Sequence, residues 1–561
     1  MQKETTEERV NKNFIEEIIE ADLSSDKHKG RVHMRFPPEP NGYLHIGHAK
    51  AIWINFETAQ KYGGKTNLRF DDTNPVKEDV EYVESIKKDI KWLGYQWAGE
   101  PLFTSNYFPK LYKFAIELIN KGLAYIDESS PDQIAEMKGT PTKAGTNSPF
   151  RDRDVTKNLD LFKQMKEGAF EDGAMVLRAK IDMSAPNMLM RDPIIYRIKH
   201  AHHHNTGDEW CIYPMYDFAH GQSDSIEEIT HSCCSLEFMH HRPLYDWFVE
   251  KLGIFPSKQY EFARMNVAYM ITSKRRLLKL VEEGLVSGWD DPRMSTLSGL
   301  RRRGYLPQSI RKFCALTGVQ KRDNLQEMEL LESVIRDDLN QLATRVMVVL
   351  NPLKVVISNY PDGQVEELPS MNNPQDETAG HHSMSFSKNI WIEKDDFMLE
   401  PPKKYFRLAP DKVVRLKGAY IIKADKYILD DSGEVTEVHC TYYPNSKSGS
   451  DESGIKVKGT MHWVDQTTAL PVELRLYDRL FNDPTPTNHE GKDFLDFYNK
   501  DSLILNNDAL AEKHLAVVGD AEPLQFMRKG YFIKDKASDQ NKLVFNRTVT
   551  LRDSWAKKKN K

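Results

Sequence analysis

Two histidines three residues apart give this chain its first chemical signal. A strand-like run, Val32-His33-Met34-Arg35-Phe36, leads into Pro37-Pro38-Glu39-Pro40-Asn41-Gly42-Tyr43-Leu44-His45-Ile46-Gly47-His48-Ala49. The prolines fix φ and end the strand, and Gly42 permits a tight turn. His45 and His48 fall on one side of a first helical turn. Gly47 removes a side chain where a flat adenine could pack. Backbone N–H groups at a helix start, flanked by imidazoles, suit a polyphosphate. Alone, this is also what a helix start with two surface histidines looks like. A second signal lies far downstream, in Ile271-Thr272-Ser273-Lys274-Arg275-Arg276-Leu277. It reads as a short polar loop whose Lys274 meets a phosphate as a point charge.

The elements that must position these groups follow an αβ rhythm at first. Residues 8–23 carry Val10, Phe14, Ile18 and Ile19 at helical spacing. Strand 32–36 and helix 48–61 start a βα unit. Strand 67–70 then delivers Asp71-Asp72-Thr73-Asn74-Pro75 to its carboxyl end, where parallel sheets bind ligands. Helices near 77–93 and 109–121 complete the pattern of a doubly wound parallel sheet. From 105 to 210 the rhythm weakens, as expected of an insertion; Gly139 to Pro149 is a loop by composition. The fold resumes near Ile212-Tyr213-Pro214-Met215-Tyr216. Helical sequence follows Lys274 to about 340. Beyond 345, short β-rich runs broken by Gly, Pro and Asp predict a sandwich or barrel, with 367–386 as the least structured stretch.

Bulk properties narrow the class. A length of 561 residues predicts several domains, and 39% hydrophobic with 29% charged residues fits a soluble protein. No apolar run reaches the roughly eighteen residues of a membrane span. The polar start, Met1-Gln2-Lys3-Glu4, is not expected to be a signal peptide. Five cysteines (Cys211, Cys233, Cys234, Cys314, Cys440) lack CxxC spacing and read as reduced thiols of the cytoplasm. A net charge of −5 predicts no nucleic-acid partner by itself. Local runs, Arg301-Arg302-Arg303, Lys274-Arg275-Arg276 and Lys557-Lys558-Lys559, are the candidate contacts, the last reading best as a solvated tail.

The His-Ile-Gly-His element and the Lys274 loop, in this order and this far apart, resemble the signatures of class I aminoacyl-tRNA synthetases. Phe36 to Gly42, Leu68 to Pro75, Trp289-Asp290-Asp291-Pro292-Arg293-Met294 and Gly299 to Tyr305 extend the resemblance, which runs from about residue 30 to Trp555 and points to the glutaminyl branch. The resemblance implies a Rossmann-like doubly wound parallel sheet with an α+β insertion, a helical subdomain and C-terminal β-barrels. The catalytic domain would span 1–105 and 211–269, the acceptor-stem insertion 106–210, the helical subdomain 270–340 and the anticodon-binding barrels 341–561. It also implies glutamine, ATP with Mg2+ and tRNA(Gln) as partners, no resident metal, no membrane, a cytoplasmic monomer, and bound tRNA before adenylate formation.

By the same resemblance His45, His48 and Lys274 are catalytic. Glu39, Pro40, Asn41, Ile46, Gly47, Ala49, Lys50, Ala51, Ser235, Arg264, Met265, Thr272 and Ser273 line the ATP site. Asp71 would take the ammonium of glutamine, and Tyr216 would test its amide. Cys234 stands where glutamyl enzymes carry an arginine, so a neutral side chain is favoured. Arg35 either reaches the substrate or lies exposed. Neutral-amide readout can reject the wrong side chain by roughly 10⁴, so no editing domain is needed.

Several positions depart from the pattern. Thr272 replaces the usual methionine of the second signature. Pro141 stands where an apolar wedge opens the first acceptor base pair, and His240 where an aspartate reads a base edge. Lys321, Arg345, Arg407 and Gln525 fall at anticodon-contact places. The run His200, His202, His203, His204 invites a zinc reading, but it has no paired cysteines to complete a four-ligand site. A glutamyl-tRNA synthetase, a small adenylyltransferase and a non-catalytic tRNA-binding paralogue stand as alternatives. The β-rich third opposes the adenylyltransferase, and retention of His45, His48, Asp71 and Lys274 opposes the paralogue.

Overall fold

A computed structural model describes residues 12–76 and 80–552. Val10, the first residues of the expected 77–93 helix, Trp555 and the Lys557–Lys559 tail lie outside the described residues. Two compact units emerge, Met1–Asn266 with Cys314–Gln326, and Val267–Phe313 with Glu327–Lys561. The stretch expected as a helical subdomain is therefore divided. Its 314–326 portion is tied to the first unit by bonds from Ala263 N to the Gln320 carbonyl (2.7 Å) and from Arg264 N to Asp323 (3.0 Å).

In the first unit, Asn13 caps the Phe14–Ser24 helix through a reciprocal bond with Glu16. Ile15 and Ile19 bury that helix against Met34, Ile54 and Phe262. Strands His33–Phe36, Lys65–Phe70 and Leu102–Phe103 pair in parallel, with Phe36 opposite Leu68 and Phe70 opposite Phe103. His231–Ser235 and Lys258–Phe262 form a second parallel pair. The Thr230 N–H donates to the His33 carbonyl at 2.9 Å and stitches the two pairings together. This is the Rossmann-like parallel core, and it delivers Asp71 and Ser235 at strand carboxyl ends.

The insertion is a four-stranded antiparallel sheet covered by helices Phe108–Asn120 and Val155–Lys166 around Leu111, Phe162, Leu177 and Tyr196. Its last strand is Ile212–Pro214, which pairs with Ile194–Ile198. The return to the nucleotide fold thus begins with the Tyr216–Ile226 helix, not at Ile212. A short apolar run does not reveal which sheet it joins.

In the second unit, helix Lys274–Glu282 buries Leu277 and Leu280 against Phe481 and Phe494. Two seven-stranded sheets follow. One has Thr344–Val346 and Val348–Val349 as its two edges, separated in sequence by Met347 alone; the other has Thr460–Met461 and Trp463–Asp465, separated by His462 alone. Edges joined through one residue must lie side by side, so each sheet curls nearly closed, which removes the aggregation hazard of open edges. The stretch read as least structured is a hairpin instead, Glu366–Met371 paired with His381–Phe386. Only Leu368, Met384 and Phe386 carry its apolar burial, and its polar outward residues hide the strand pattern. No helix among the described residues is long and apolar enough to cross a membrane.

Candidate active site

His45 is the N-cap of helix Ile46–Lys61. Its Nδ1 accepts the Gly47 N–H at 3.1 Å, and the His48 Nδ1 accepts the His45 N–H at 3.1 Å. Both rings are therefore held with the proton on Nε2, because each Nδ1 lone pair is in use. The ring centroids lie 3.9 Å apart with their planes tilted by 32°. Burial, then mutual repulsion and the nearby Arg264, holds the His45 ring well below its usual range. Burial and Arg264 lower His48 to about 4. At neutral pH the pair presents two neutral N–H donors aimed by the backbone, beside the open first turn of a helix.

A Cβ at Gly47 would sit 2.9 Å from Cε1 and 3.0 Å from Nδ1 of His45, and 3.6 Å from the Met265 carbonyl. The immediate reason for glycine is thus the His45 ring. Its backbone is otherwise compatible with alanine, which favours helix by about 1 kcal/mol. On the role the resemblance gives His45, Gly47→Ala is expected to leave the thermal midpoint unchanged or higher while lowering ATP-dependent turnover about tenfold, since displacing a catalytic group is costly even below 1 Å. Wild-type turnover in this variant would refute the role given to the His45 orientation.

Around this pair, Ser235 Oγ donates to Glu237 (2.7 Å), whose carboxylate pairs with the exposed Arg264 (2.8 Å). Glu39 is exposed and accepts from Asn41. Pro40, Ile46 and Ala49 are buried, and Ala51 packs on the core. Lys50 is largely buried. Its ammonium turns inward to the Cys314 carbonyl and Thr317 Oγ1 (3.0 Å), over the Trp53 ring at 4.7 Å. Burial lowers it to about 8. It ties two segments of the first unit together and lines a small cleft with Arg264, Met265 and Thr317.

Behind Asp71 lies a buried charge network. Asp71 accepts from Arg69 Nε (2.7 Å), Thr104 Oγ1 (3.0 Å) and His220 Nδ1 (2.6 Å). A carboxylate has about four acceptor sites, so one is left for an incoming ammonium. Burial alone would raise this carboxyl; Arg69 and then His220 overcome that and hold it at about 2. His220 Nε2 faces the Arg35 guanidinium at 2.8 Å. Arginine only donates, so Nε2 accepts, and Nδ1, 3.2 Å from Arg69 but 2.6 Å from Asp71, gives its proton to the nearer carboxylate. Arg35 is fully buried and is not the exposed strand arginine that was one expectation. Each of its nitrogens donates within the protein: Nε to Asp224 (3.0 Å), one terminal nitrogen to the Cys233 carbonyl (2.7 Å), the other to Ser232 Oγ (2.6 Å). It is a positioning group beneath the pocket.

Tyr216 stacks on His220 at 4.9 Å and tilts against Phe238 at 5.6 Å. Burial, followed by Asp71 and Cys234, pushes its phenol well above the usual range. Burial also pushes up the Cys234 thiol, against the pull of Arg35. Asp71 and Cys234 thus both lie close enough to act on the Tyr216 phenol, which stands beside the Cys234 thiol as a second neutral group.

Residues 31–341 match the family described as tRNA synthetases class I (E and Q), catalytic domain. Residues 343–443 and 460–535 match two anticodon-binding domains of the same description. The chain belongs to this synthetase family. A glutamine–tRNA ligase of Pseudomonas syringae pv. tomato is 56% identical over 97% of this chain and 95% of its own length. One of Clostridium perfringens is 56% identical over 97% of this chain and 98% of its own. A solved glutamate-tRNA synthetase from Elizabethkingia anophelis is 20% identical, with a TM-score of 0.43 over 56% of this chain and 71% of that one.

In the synthetase's second unit, Lys274 begins the Lys274–Glu282 helix, where a loop residue was expected. Ser273 stands at the cap position without a side-chain cap bond, and Thr272 is half-buried. Arg345, placed by the resemblance at an anticodon-contact position, is buried with its guanidinium on the carbonyls of Asn340 and Ala343. It lies opposite Gln525 in a parallel pair. Gln525 donates to the Tyr531 hydroxyl (2.9 Å), and Tyr531 donates to Asn340 (3.2 Å). Arg407 pairs with Asp396 at 3.1 Å. Lys321 lies instead in the first unit, its ammonium 4.5 Å over the Phe14 ring. Pro141 and His240 are exposed, and the His240 carbonyl accepts from Asn187 (2.8 Å). The Arg301–Arg303 run is largely internal: Arg302 pairs with Asp535 (2.9 Å), and Arg303 donates to the Thr548 carbonyl (3.1 Å).

His203 and His204 do approach Asp72 closely enough for the three to hold an ion. Their atoms are already engaged. His203 Nε2 lies 2.8 Å from the Asp72 carbonyl, and His204 Nε2 3.0 Å from its carboxylate, which also accepts from Ser105 N and Oγ (2.8 and 2.6 Å). This cluster buttresses the turn that carries Asp71. Sequence reasoning missed Arg69, His220, Asp224, Glu227 and Ser232. The available signal was Tyr216, His220 and Asp224 at i, i+4 and i+8, which places three polar groups on one helix face.

Proposed function

We propose that the chain joins L-glutamine to tRNA(Gln) through a glutaminyl-adenylate, working as a cytoplasmic monomer on ATP with its Mg2+. The glutamine carboxylate attacks the α-phosphate and pyrophosphate leaves. The 2′-hydroxyl of the terminal adenosine then takes the acyl group, losing its proton as AMP leaves. His45 and His48 donate their Nε2–H groups to phosphate oxygens, and Lys274 meets the charge that develops on pyrophosphate. Asp71 receives the ammonium at its remaining acceptor site. Tyr216 reads the amide. Bound tRNA precedes activation.

The observation that carries the choice of glutamine over glutamate is the neutral pocket. Cys234 offers no charge, and the Arg35 guanidinium next to it is matched by Asp224. A glutamate carboxylate would enter without a partner cation, which in a desolvated site costs several kcal/mol. Charging total tRNA with labelled glutamine or glutamate tests this, and the wild type is expected to charge glutamine only. Cys234→Arg is expected to lose at least about a hundredfold in kcat/KM for glutamine, about 2.7 kcal/mol, because a second guanidinium faces the amide. Equal charging of both amino acids by the wild type would overturn the reading.

A further inference from the structure

A group unconnected with ATP or glutamine lies in the first unit, where the Phe14–Ser24 helix ends. His28 and His231 are 5% and 1% exposed, and the Nε2 atoms of both lack a hydrogen-bond partner. Both point at one oxygen of Asp22, each 3.5 Å from Oδ2. The three ligand atoms all lie within 4.8 Å of one another.

That spacing does not suit hydrogen bonds, which are about 2.7–3.2 Å long. The two edges at Asp22 do suit a tetrahedron around a zinc ion, and the third is no longer than 4.8 Å. With bonds of about 2.0–2.2 Å to nitrogen and oxygen, neighbouring ligands stand about 3.3–3.5 Å apart.

The surrounding bonds orient the ligands in the same sense. The Thr230 hydroxyl donates to the His33 carbonyl at 3.1 Å and lies 2.8 Å from Nδ1 of His231. With its hydrogen on the carbonyl, Thr230 accepts from Nδ1–H and leaves the His231 Nε2 as a lone pair facing a carboxylate. Two acceptors facing each other in a buried place call for a cation between them. A hydrogen-bonded Nδ1–H behind a ligating Nε2 is the usual support of a zinc-bound imidazole. The Lys27 ammonium also touches Asp22 Oδ2, at 2.7 Å. It is an exposed lysine whose ion pair is worth at most about 1 kcal/mol and gives way to a divalent ion.

We infer that Asp22, His28 and His231 form a structural zinc site, with water as the fourth ligand, that clamps the end of the Phe14–Ser24 helix to the strand bearing Cys234. Two imidazoles and one carboxylate are a donor set for zinc and not for magnesium or calcium. The site lies at the start of the His231–Ser235 strand, whose last residues line the amino-acid pocket, so the ion would steady that strand from behind.

The test uses the full chain. Protein expressed with zinc in the medium is assayed for metal content, stripped with a chelator, and titrated with zinc chloride. Cobalt chloride serves as a spectroscopic probe. Expected are about one zinc per chain, a tetrahedral cobalt spectrum, and a thermal midpoint that falls on stripping and recovers with zinc. His231→Gln should weaken zinc binding at least about a hundredfold, and Thr230→Val about ten- to a hundredfold. Asp22→Asn, at a partly exposed position that the fold tolerates, should also weaken binding and keeps the test independent of core damage. Zinc-free protein with no cobalt spectrum would overturn the proposal. So would Asp22→Asn and His231→Gln proteins that bind zinc like the wild type, which would place the ion elsewhere, for example at Asp72, His203 and His204.

Discussion

Lys274→Ala will lower the rate of tRNA-dependent pyrophosphate exchange by about 10²–10³, with little change in thermal midpoint. The magnitude is that of removing one pre-placed group from a developing anion. Lys274 is exposed at the first position of its helix, and the adjoining Ser273 makes no side-chain cap bond. The positive end of the helix dipole stands there for a phosphate, and the lysine adds its charge to it. Helix packing rests on Leu277 and Leu280, which the substitution does not touch. Lys274→Arg should restore part of the rate, because charge returns in a different shape. Retention of more than about a third of wild-type exchange by the alanine variant would remove Lys274 from the mechanism. Thr272 in place of methionine does not alter this expectation, since it is half-buried before the helix and the charge lies beyond it.

What the sequence revealed was local. His45 and His48 are legible because a strand stop, a turn and a helix start occur within one short segment, and the backbone itself fixes their tautomers. Asp71 is legible because it follows a strand. Charged residues with distant partners were not. Arg302 reads as part of a basic patch until Asp535, 233 positions away, is seen beside it. Arg35 reads as surface until Asp224, 189 positions away, meets it. A guanidinium carries the same letter whether solvated or paired, and only the fold decides between the two. The hairpin of Glu366–Met371 with His381–Phe386 was hidden for a related reason. Its pairing, not its own apolar content, makes it ordered. The closure of the two large sheets was implied by the family resemblance and not by any local pattern, since it depends on Met347 and His462 each joining opposite edges.

The same long-range pairing makes Asp224 the most sensitive residue for stability. Its carboxylate accepts from Arg35 Nε (3.0 Å), Arg69 (2.7 Å), Ser232 Oγ (2.7 Å) and the Tyr245 hydroxyl (3.0 Å). Burial alone would raise this carboxyl; Arg35 and then Arg69 hold it far below the usual range. Asp224→Asn keeps the shape, removes the charge and turns an N–H group toward donors. Arg69 would retain Asp71 (2.7 Å) and Glu227 (3.2 Å) as counter-charges. Arg35 would lose its carboxylate partner while fully buried. Breaking such a pair costs about 3–5 kcal/mol, a large part of a typical stability of about 5–15 kcal/mol. Denaturant unfolding of Asp224→Asn should register that loss. Asp71→Asn should lose less stability, because Arg69 keeps Asp224 and Glu227, while losing more of the glutamine-dependent rate. Both carboxyls have depressed native values, so their contribution is complete above the ordinary value near 3.9 and is lost as pH falls toward about 2 for Asp71. The difference between Asp224→Asn and wild type should therefore stay constant from about pH 5 to 8. An Asp224→Asn protein within about 1 kcal/mol of wild type, or a larger stability loss in Asp71→Asn, would mean that Arg35 is compensated by something other than this carboxylate.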